Sequence, residues 1–186
     1  MKKPLENYAF IDSQNLHFGL REIGWKLNFK KFRVYLAEKY GVKKAYFFIG
    51  YLAENQKLYQ ALKESGFVLI FKPTLKKPDG IVKGNCDSEL VLQAMIDFKK
   101  YKKAVLISGD GDFHCLAKYL DEQKKLEKMI APSHANCSSL LRKLLGNRIV
   151  FVEDLDSRKF CREVSAPNKK GREPRVDGTT KGSPSG

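Results

Sequence analysis

Carboxylates stand at three points of this chain where the local pattern changes from one element type to another. Asp12 closes the apolar run Phe10-Ile11 and is followed by Ser13-Gln14-Asn15-Leu16. Asp110 and Asp112 lie in Ser108-Gly109-Asp110-Gly111-Asp112-Phe113, directly after Ala104-Val105-Leu106-Ile107. Asp87 belongs to Lys83-Gly84-Asn85-Cys86-Asp87-Ser88-Glu89, at the start of a helix-period stretch. In an open parallel sheet the carboxyl ends of neighbouring strands converge on one crevice. Carboxylates gathered there repel one another unless a cation or a proton offsets their charge. Oxygen ligands alone suit Mg2+ or Mn2+ better than zinc. Such an ion can activate water and stabilise charge on a phosphodiester.

Each acid also has a plain structural explanation. Asp12 can cap a helix, as can Ser13 and Asn15. Asp112 can cap the helix that starts near Phe113, and Gly109 and Gly111 allow tight turns and close approach. Asp87 and Glu89 suit the first turn of a helix dipole. Ser108 and Asp110 are harder to account for as caps. The site expected is therefore Asp12, Asp87 and Asp110 as metal ligands, with Asp112 direct or through water and partly a helix cap. Asn15 and Ser108 would orient water or a phosphate oxygen. Asp97 shares a helix face with Asp87 but lies about 15 Å further along, so it cannot bind the same ion and reads as solvated or supporting. Glu153, Asp154 and Asp156 read as caps of a short final helix.

Other chemistries find little support. His17, His114 and His134 lack the paired spacing of a zinc site, although His114 follows Asp112 closely enough to face the crevice. There is no GxSxG elbow, no Walker-type phosphate loop and no base beside a cysteine. Cys86, Cys115, Cys137 and Cys161 form no CxxC pair and read as free thiols of a reducing compartment.

Charge suggests the substrate. The 186 residues carry a formal charge of +14, with a pI near 9.6, a bias towards polyanions. Lys72, Lys76, Lys77 and Lys83 flank the segment that leads into Asp87 and would rim the crevice, holding the backbone of a nucleic acid. Arg142, Lys143 and Arg148 would extend that surface. A nucleic acid is the partner this charge favours, and backbone contacts alone leave RNA and DNA both open. No apolar run approaches the roughly 20 residues needed to span a membrane, and the N-terminus does not read as a signal peptide. A cytoplasmic protein is expected, its oligomeric state open, a homodimer included.

Elements of the right kind surround these acids. Strand-length apolar runs at 8–12, 44–50, 67–71, 104–107, 128–131 and 149–152 alternate with helix-period segments at 29–40, 54–65, 87–98, 113–122 and 138–145. That alternation predicts an α/β fold with a mostly parallel sheet. Residues 73–84, rich in Lys and Pro, read as a loop. Residues 1–156 form the expected domain. From 157 to 186 eight Lys/Arg stand against three Asp/Glu and apolar residues thin out, which predicts a basic disordered tail.

The three acidic motifs, in this order and at these separations, resemble the NYN domain, and within it the LabA-like branch of the PIN-like nuclease superfamily. The resemblance spans residues 6–155. It implies a Rossmann-like, PIN-like three-layer α/β/α sandwich and a metal-dependent ribonuclease site made of acidic residues. Asp12, Asp87, Asp110 and Asp112 match the acidic positions, and Asn15 matches the polar residue after the first strand. Related sequences often carry a further acid near Gln93, and the glutamine here bears on a second metal and on full activity. The implied function is a Mg2+- or Mn2+-dependent ribonuclease. Its rival is a catalytically weak or inactive RNA-binding module of the same fold. A phosphatase with a strand-end aspartate nucleophile is disfavoured, because position 14 is Gln where a second Asp would be needed.

Overall fold

A computed structural model describes residues 6–72, 75–76, 82–83, 86–156 and 159–164. In chain order its elements are β1 (Glu6–Asp12), α1 (Ser13–Glu22), β2 (Trp25–Leu27), α2 (Phe29–Tyr40), β3 (Val42–Gly50), α3 (Gln56–Glu64), β4 (Val68–Lys72), β5 (Leu75–Lys76), β6 (Val82–Lys83), α4 (Asp87–Ile96), β7 (Tyr101–Ile107), α5 (His114–Glu122), β8 (Leu126–Ala131), α6 (Ser139–Leu145), β9 (Ile149–Phe151) and β10 (Cys161–Glu163). Short 3-10 turns precede α3 and α5 and flank β9.

Six strands form the central sheet in the order β4-β3-β1-β7-β8-β9, and every neighbouring pair is parallel. The chain winds outward from β1 through β3 to β4, then returns to the other side of β1 to lay down β7, β8 and β9. The winding therefore reverses between β1 and β7, the point at which open α/β sheets form a crevice beyond their strand ends. Register sets Phe10 beside Tyr46 and Leu106, and Ile11 beside Phe47 and Ile107.

Both faces of the sheet are covered, which is why its strands read as continuous apolar runs. Phe10, Tyr46, Leu106 and Met129 pack on one face against Leu90 and Ala94 of α4, Leu116 and Leu120 of α5, and Leu141 of α6. Ala9, Ile11, Phe47, Val105 and Ile107 pack on the other against Leu16 and Leu20 of α1, Phe32 and Leu36 of α2, and Leu62 of α3. The three-layer α/β/α sandwich with a parallel sheet is thus the observed fold. The Phe10 ring is fully buried, stacked on Tyr46 at 5.6 Å and edge-on to Tyr101 at 5.6 Å. Truncating such a ring to Ala costs about 3–5 kcal/mol.

Three local features differ from expectation. Residues 73–84 contain a two-residue antiparallel ladder, Leu75 opposite Lys83 and Lys76 opposite Val82, too short for any alternation to show in the sequence; the rest of that segment lies outside the described residues. β2 was not foreseen at all. Nor does the ordered chain stop at 156. β10 pairs antiparallel with β2, and the Phe160 ring, 1% exposed, lies 4.7 Å from Tyr35 and 5.4 Å from Phe32. One aromatic residue in a basic stretch carries that anchoring.

Candidate active site

Asp12 ends β1 and caps α1. Its Oδ1 accepts the backbone N–H groups of Gln14 and Asn15, each at 3.1 Å. Its Oδ2 accepts the Ser108 hydroxyl at 3.1 Å. The same hydroxyl oxygen accepts the N–H of Asp110 at 3.1 Å, and Asp110 Oδ1 accepts the N–H of Asp112 at 3.0 Å. A second lacing runs from the Gly109 N–H to Asn15 Oδ1 at 2.8 Å. The turns that follow β1 and β7 are therefore tied together at the reversal of the sheet. Hydrogen bonds to ionised groups contribute about 1.5–3 kcal/mol each.

Asp87 is the first residue of α4 and enters from the opposite helical layer. One carboxylate oxygen from each of Asp87, Asp110 and Asp112 lies within 4.8 Å of the others. If all three ionise, each pair repels by roughly 3–4 kcal/mol in the effective dielectric of a protein surface. Asp12 completes the group. Burial pushes its carboxyl above the usual value, and the charge of Asp87 acts in the same direction, while the Asn15 N–H and Ser108 hydroxyl oppose the rise. Asp12, Asp87 and Asp110 share the lining of a cleft of about 240 Å³ with Gln14, Asn15, Phe18, Gly19 and Asn136.

The glycines act through space rather than through unusual φ. A Cβ on Gly109 would sit 1.8 Å from the Asn136 carbonyl oxygen, and one on Gly111 would sit 2.8 Å from Ser138 Oγ. Their bare backbones let the loop after β8 close over the turn, with the Ser138 N–H on Gly109 O at 2.9 Å.

The structure brings Asp87, Asp110 and Asp112 together and sets Asp12 in one cleft with Asp87 and Asp110, but it redistributes their secondary roles. Asp110, not Asp112, supplies the cap: it holds an extended backbone (φ −74°, ψ 131°) and receives the Asp112 N–H, whereas no side chain caps α5 itself. Ser108 is buried, and its hydroxyl is engaged by Asp12 and Asp110, so it holds the acids in place. Asp97 is neither solvated nor near the acids. It is 1% exposed and receives the Tyr46 hydroxyl, Gln93 Nε2 at 3.0 Å and Lys100 Nζ at 2.7 Å. Burial opposes its ionisation, but these three donors outweigh burial and hold its pKa below the usual value. Gln93 is thus committed to the far end of α4.

Other predicted residues are placed as follows. Lys72 reaches Glu89 in the first turn of α4 at 3.2 Å. Lys77 lies outside the described residues, as do the side chains of Lys76 and Lys83. Arg148 pairs with Asp121, and Arg142 donates to His134 O at 3.5 Å. Glu153 and Asp154 form a small cluster with His134. The His134 ring stacks on Phe151 at 3.7 Å and its Nε2 lies 2.9 Å from Asp154 Oδ2. Burial, with Glu89 and Asp12 adding to it, pushes the Cys86 thiol up to about 11.

Gln14, Phe18 and Asn136 line the cleft and were not anticipated. Phe18 alone had a signal, an aromatic residue off the Leu16/Leu20 stripe of its helix.

Comparison with known proteins bears on this arrangement. The model of the NYN domain family matches residues 8–144. The search of curated proteins finds no match. Among solved structures, the crystal structure of a protein of unknown function from Vibrio parahaemolyticus RIMD 2210633 is similar, with a TM-score of 0.68 and 22% identity over 87% of this chain and 100% of that one. At that identity the likeness speaks for the fold.

Proposed function

Because the chain belongs to the NYN domain family, we propose that it is a metal-dependent ribonuclease whose cleft at the β1–β7 reversal hydrolyses RNA phosphodiester bonds. The observation that carries this reading is the convergence of Asp87, Asp110 and Asp112 within 4.8 Å, beside a buried Asp12. Carboxylates this close repel one another, and a bound cation would offset that repulsion.

The donor set fits Mg2+ or Mn2+. It is made of carboxylate oxygens, with no imidazole and no thiol in the trio. Asp87, Asp110 and Asp112 would hold the ion. A carboxylate offers about four lone-pair sites, and Asp12 has hydrogen bonds from three donors, so it contributes at most one further contact. When bound, the ion supplies an activated water and charge neutralisation at the scissile phosphate. The protein orients the acids through Ser108 and Asn15, and Gln14 and Asn136 flank the space a nucleotide would fill. The four free cysteines agree with action on RNA in the cytoplasm, and among the described residues no helix is long and apolar enough to cross a membrane.

The test is turnover of end-labelled RNA with Mg2+ or Mn2+, with chelator, and with Asp87→Asn and Asp110→Asn. Loss of cleavage in all three controls supports the reading. Wild-type rates in either variant would sink it. A second reading, RNA binding without cleavage, is favoured by one observation: position 93 is a glutamine bonded to Asp97, not a further acid beside Asp87. Tight binding with no turnover in either metal would select it.

A further inference from the structure

Resting on the nuclease reading of this cleft, we infer that Phe18 is a stacking platform for one unpaired base of the RNA, the strand leaving across α1 and β2 towards Lys26. Phe18 is 51% exposed, whereas the apolar stripe of its helix, Leu16 and Leu20, is buried. An exposed apolar residue is unremarkable by itself. This one lines the same cleft as Asp12, Asp87 and Asp110. The cleft thus offers an aromatic face beside acids suited to a metal-bound phosphate, with Gln14 also in its lining and Asn136 held there by Nδ2 bonds to Glu22 at 2.9 Å and Ser133 at 3.0 Å. Bases within a duplex are already stacked on each other, so a side-chain platform serves a strand whose bases are free.

The wall is built closely. A Cβ on Gly19, next to Phe18, would lie 2.5 Å from Pro132 Cβ and 3.6 Å from Asn136 Cβ, so the loop after β8 seats directly on α1. Beyond Phe18 the surface becomes aromatic and basic. The His17 ring meets Phe18 edge-on at 5.5 Å. Arg21 and Lys26 lie near enough to His17 to disfavour its charged form, in addition to the effect of burial. Lys26 also borders a hollow of about 380 Å³ with Lys30, Lys31 and Arg162, and among the described residues no acid lines it. Successive phosphates of a strand leaving the cleft would meet those cations.

The experiment compares wild type, Phe18→Ala and Phe18→Trp on single-stranded RNA and on a duplex of the same sequence. Binding is read separately in chelator with 2-aminopurine placed at successive positions. Wild type should prefer the single strand, and Phe18→Ala should lower kcat/KM on it by about 10–100-fold, the effect of one lost base–aromatic stack. Phe18→Trp should restore it. One 2-aminopurine position should be quenched by wild type and not by Phe18→Ala. Quenching without any cleavage by wild type would fell the nuclease reading and leave the stacking site standing. Equal behaviour of Phe18→Ala and wild type, or preference for the duplex, overturns the inference. For the exit path, Lys26→Glu combined with Lys31→Glu should weaken an RNA of about twelve nucleotides more than one of about four. Equal losses, or none, would refute that path.

Discussion

The Ser108 hydroxyl, at the end of β7, donates to Oδ2 of Asp12, at the end of β1, across 3.1 Å. Both residues are buried. That single contact bridges the two strands between which the winding of the sheet reverses, and the same oxygen receives the Asp110 N–H. Ser108→Ala should therefore act in two ways. It leaves a buried carboxylate oxygen and a backbone N–H without their partner, a loss of about 1–3 kcal/mol in urea denaturation. It also loosens both acids, and metal affinity measured by calorimetry should fall about 10–100-fold, as is usual when a group supporting metal ligands is removed. An unchanged affinity would mean that the hydroxyl only fills space.

On the metal-dependent reading proposed above, the acidic trio would trade stability for binding. Asp110→Asn keeps an oxygen to accept the Asp112 N–H, since Asn caps as well as Asp, while it removes one charge from the cluster. The metal-free variant should be at least as stable as wild type. With Mn2+ at about 100 times Kd, wild type should gain about 2.7 kcal/mol, or about 5–10 °C in Tm for a chain of this size, and Asp110→Asn should gain little. Equal Mn2+ shifts for both proteins would remove Asp110 from the site.

Asp12, Asp110 and Asp112 were legible because they follow runs of consecutive apolar residues, and Asp87 because it opens a helix-period stretch. Such runs mark strands buried on both faces, and the carboxylate that follows marks the strand end. Their convergence was legible only by supposing a parallel sheet, since the β1–β7 adjacency is a property of strand order and not of local sequence. The division between Asp110 and Asp112 was not legible. It depends on which residue takes an extended backbone before the 3-10 turn, and two acids separated by one glycine look alike in a pattern. His134 and Asp154, twenty residues apart, meet only because β8 and β9 are neighbours. Asp97 read as solvated or supporting, because helical spacing says nothing of the Tyr46 hydroxyl arriving from β3.

That Asp97 network predicts an acid-sensitive contribution to stability. The folded pKa of Asp97 lies below its ordinary value. Its contribution is thus complete above the usual carboxylate range and is lost as pH falls through the depressed value. Asp97→Asn should destabilise the protein at neutral pH by about 1.5–3 kcal/mol, the scale of a hydrogen bond to a charged group. The gap between variant and wild type in urea denaturation should close towards pH 3. A gap that persists there would show that the lost hydrogen-bond geometry, and not the charge, carries the effect.

Gly109 and Gly111 separate two kinds of crowding. A methyl group on Gly109 would meet the Asn136 carbonyl oxygen at 1.8 Å, with the Asn136 carbon and Cys137 Cα also within 3.1 Å. Backbone cannot rotate away, so Gly109→Ala must push the loop after β8 off the turn. It should cost at least the 1–3 kcal/mol typical of overpacking, break the Ser138 N–H bond to Gly109 O, and displace Asn136 from the cleft. On Gly111 the obstacle is Ser138 Oγ at 2.8 Å, the end of a rotatable side chain that caps α6 through the Leu140 N–H at 3.3 Å. Gly111→Ala should cost no more than about 1 kcal/mol, the worth of that cap. Denaturation midpoints together with RNA turnover separate the two: Gly109→Ala loses both, while Gly111→Ala keeps most of each. Equal losses would show that the loop after β8 tolerates displacement and that the close approach at Gly109 is not needed to form the cleft.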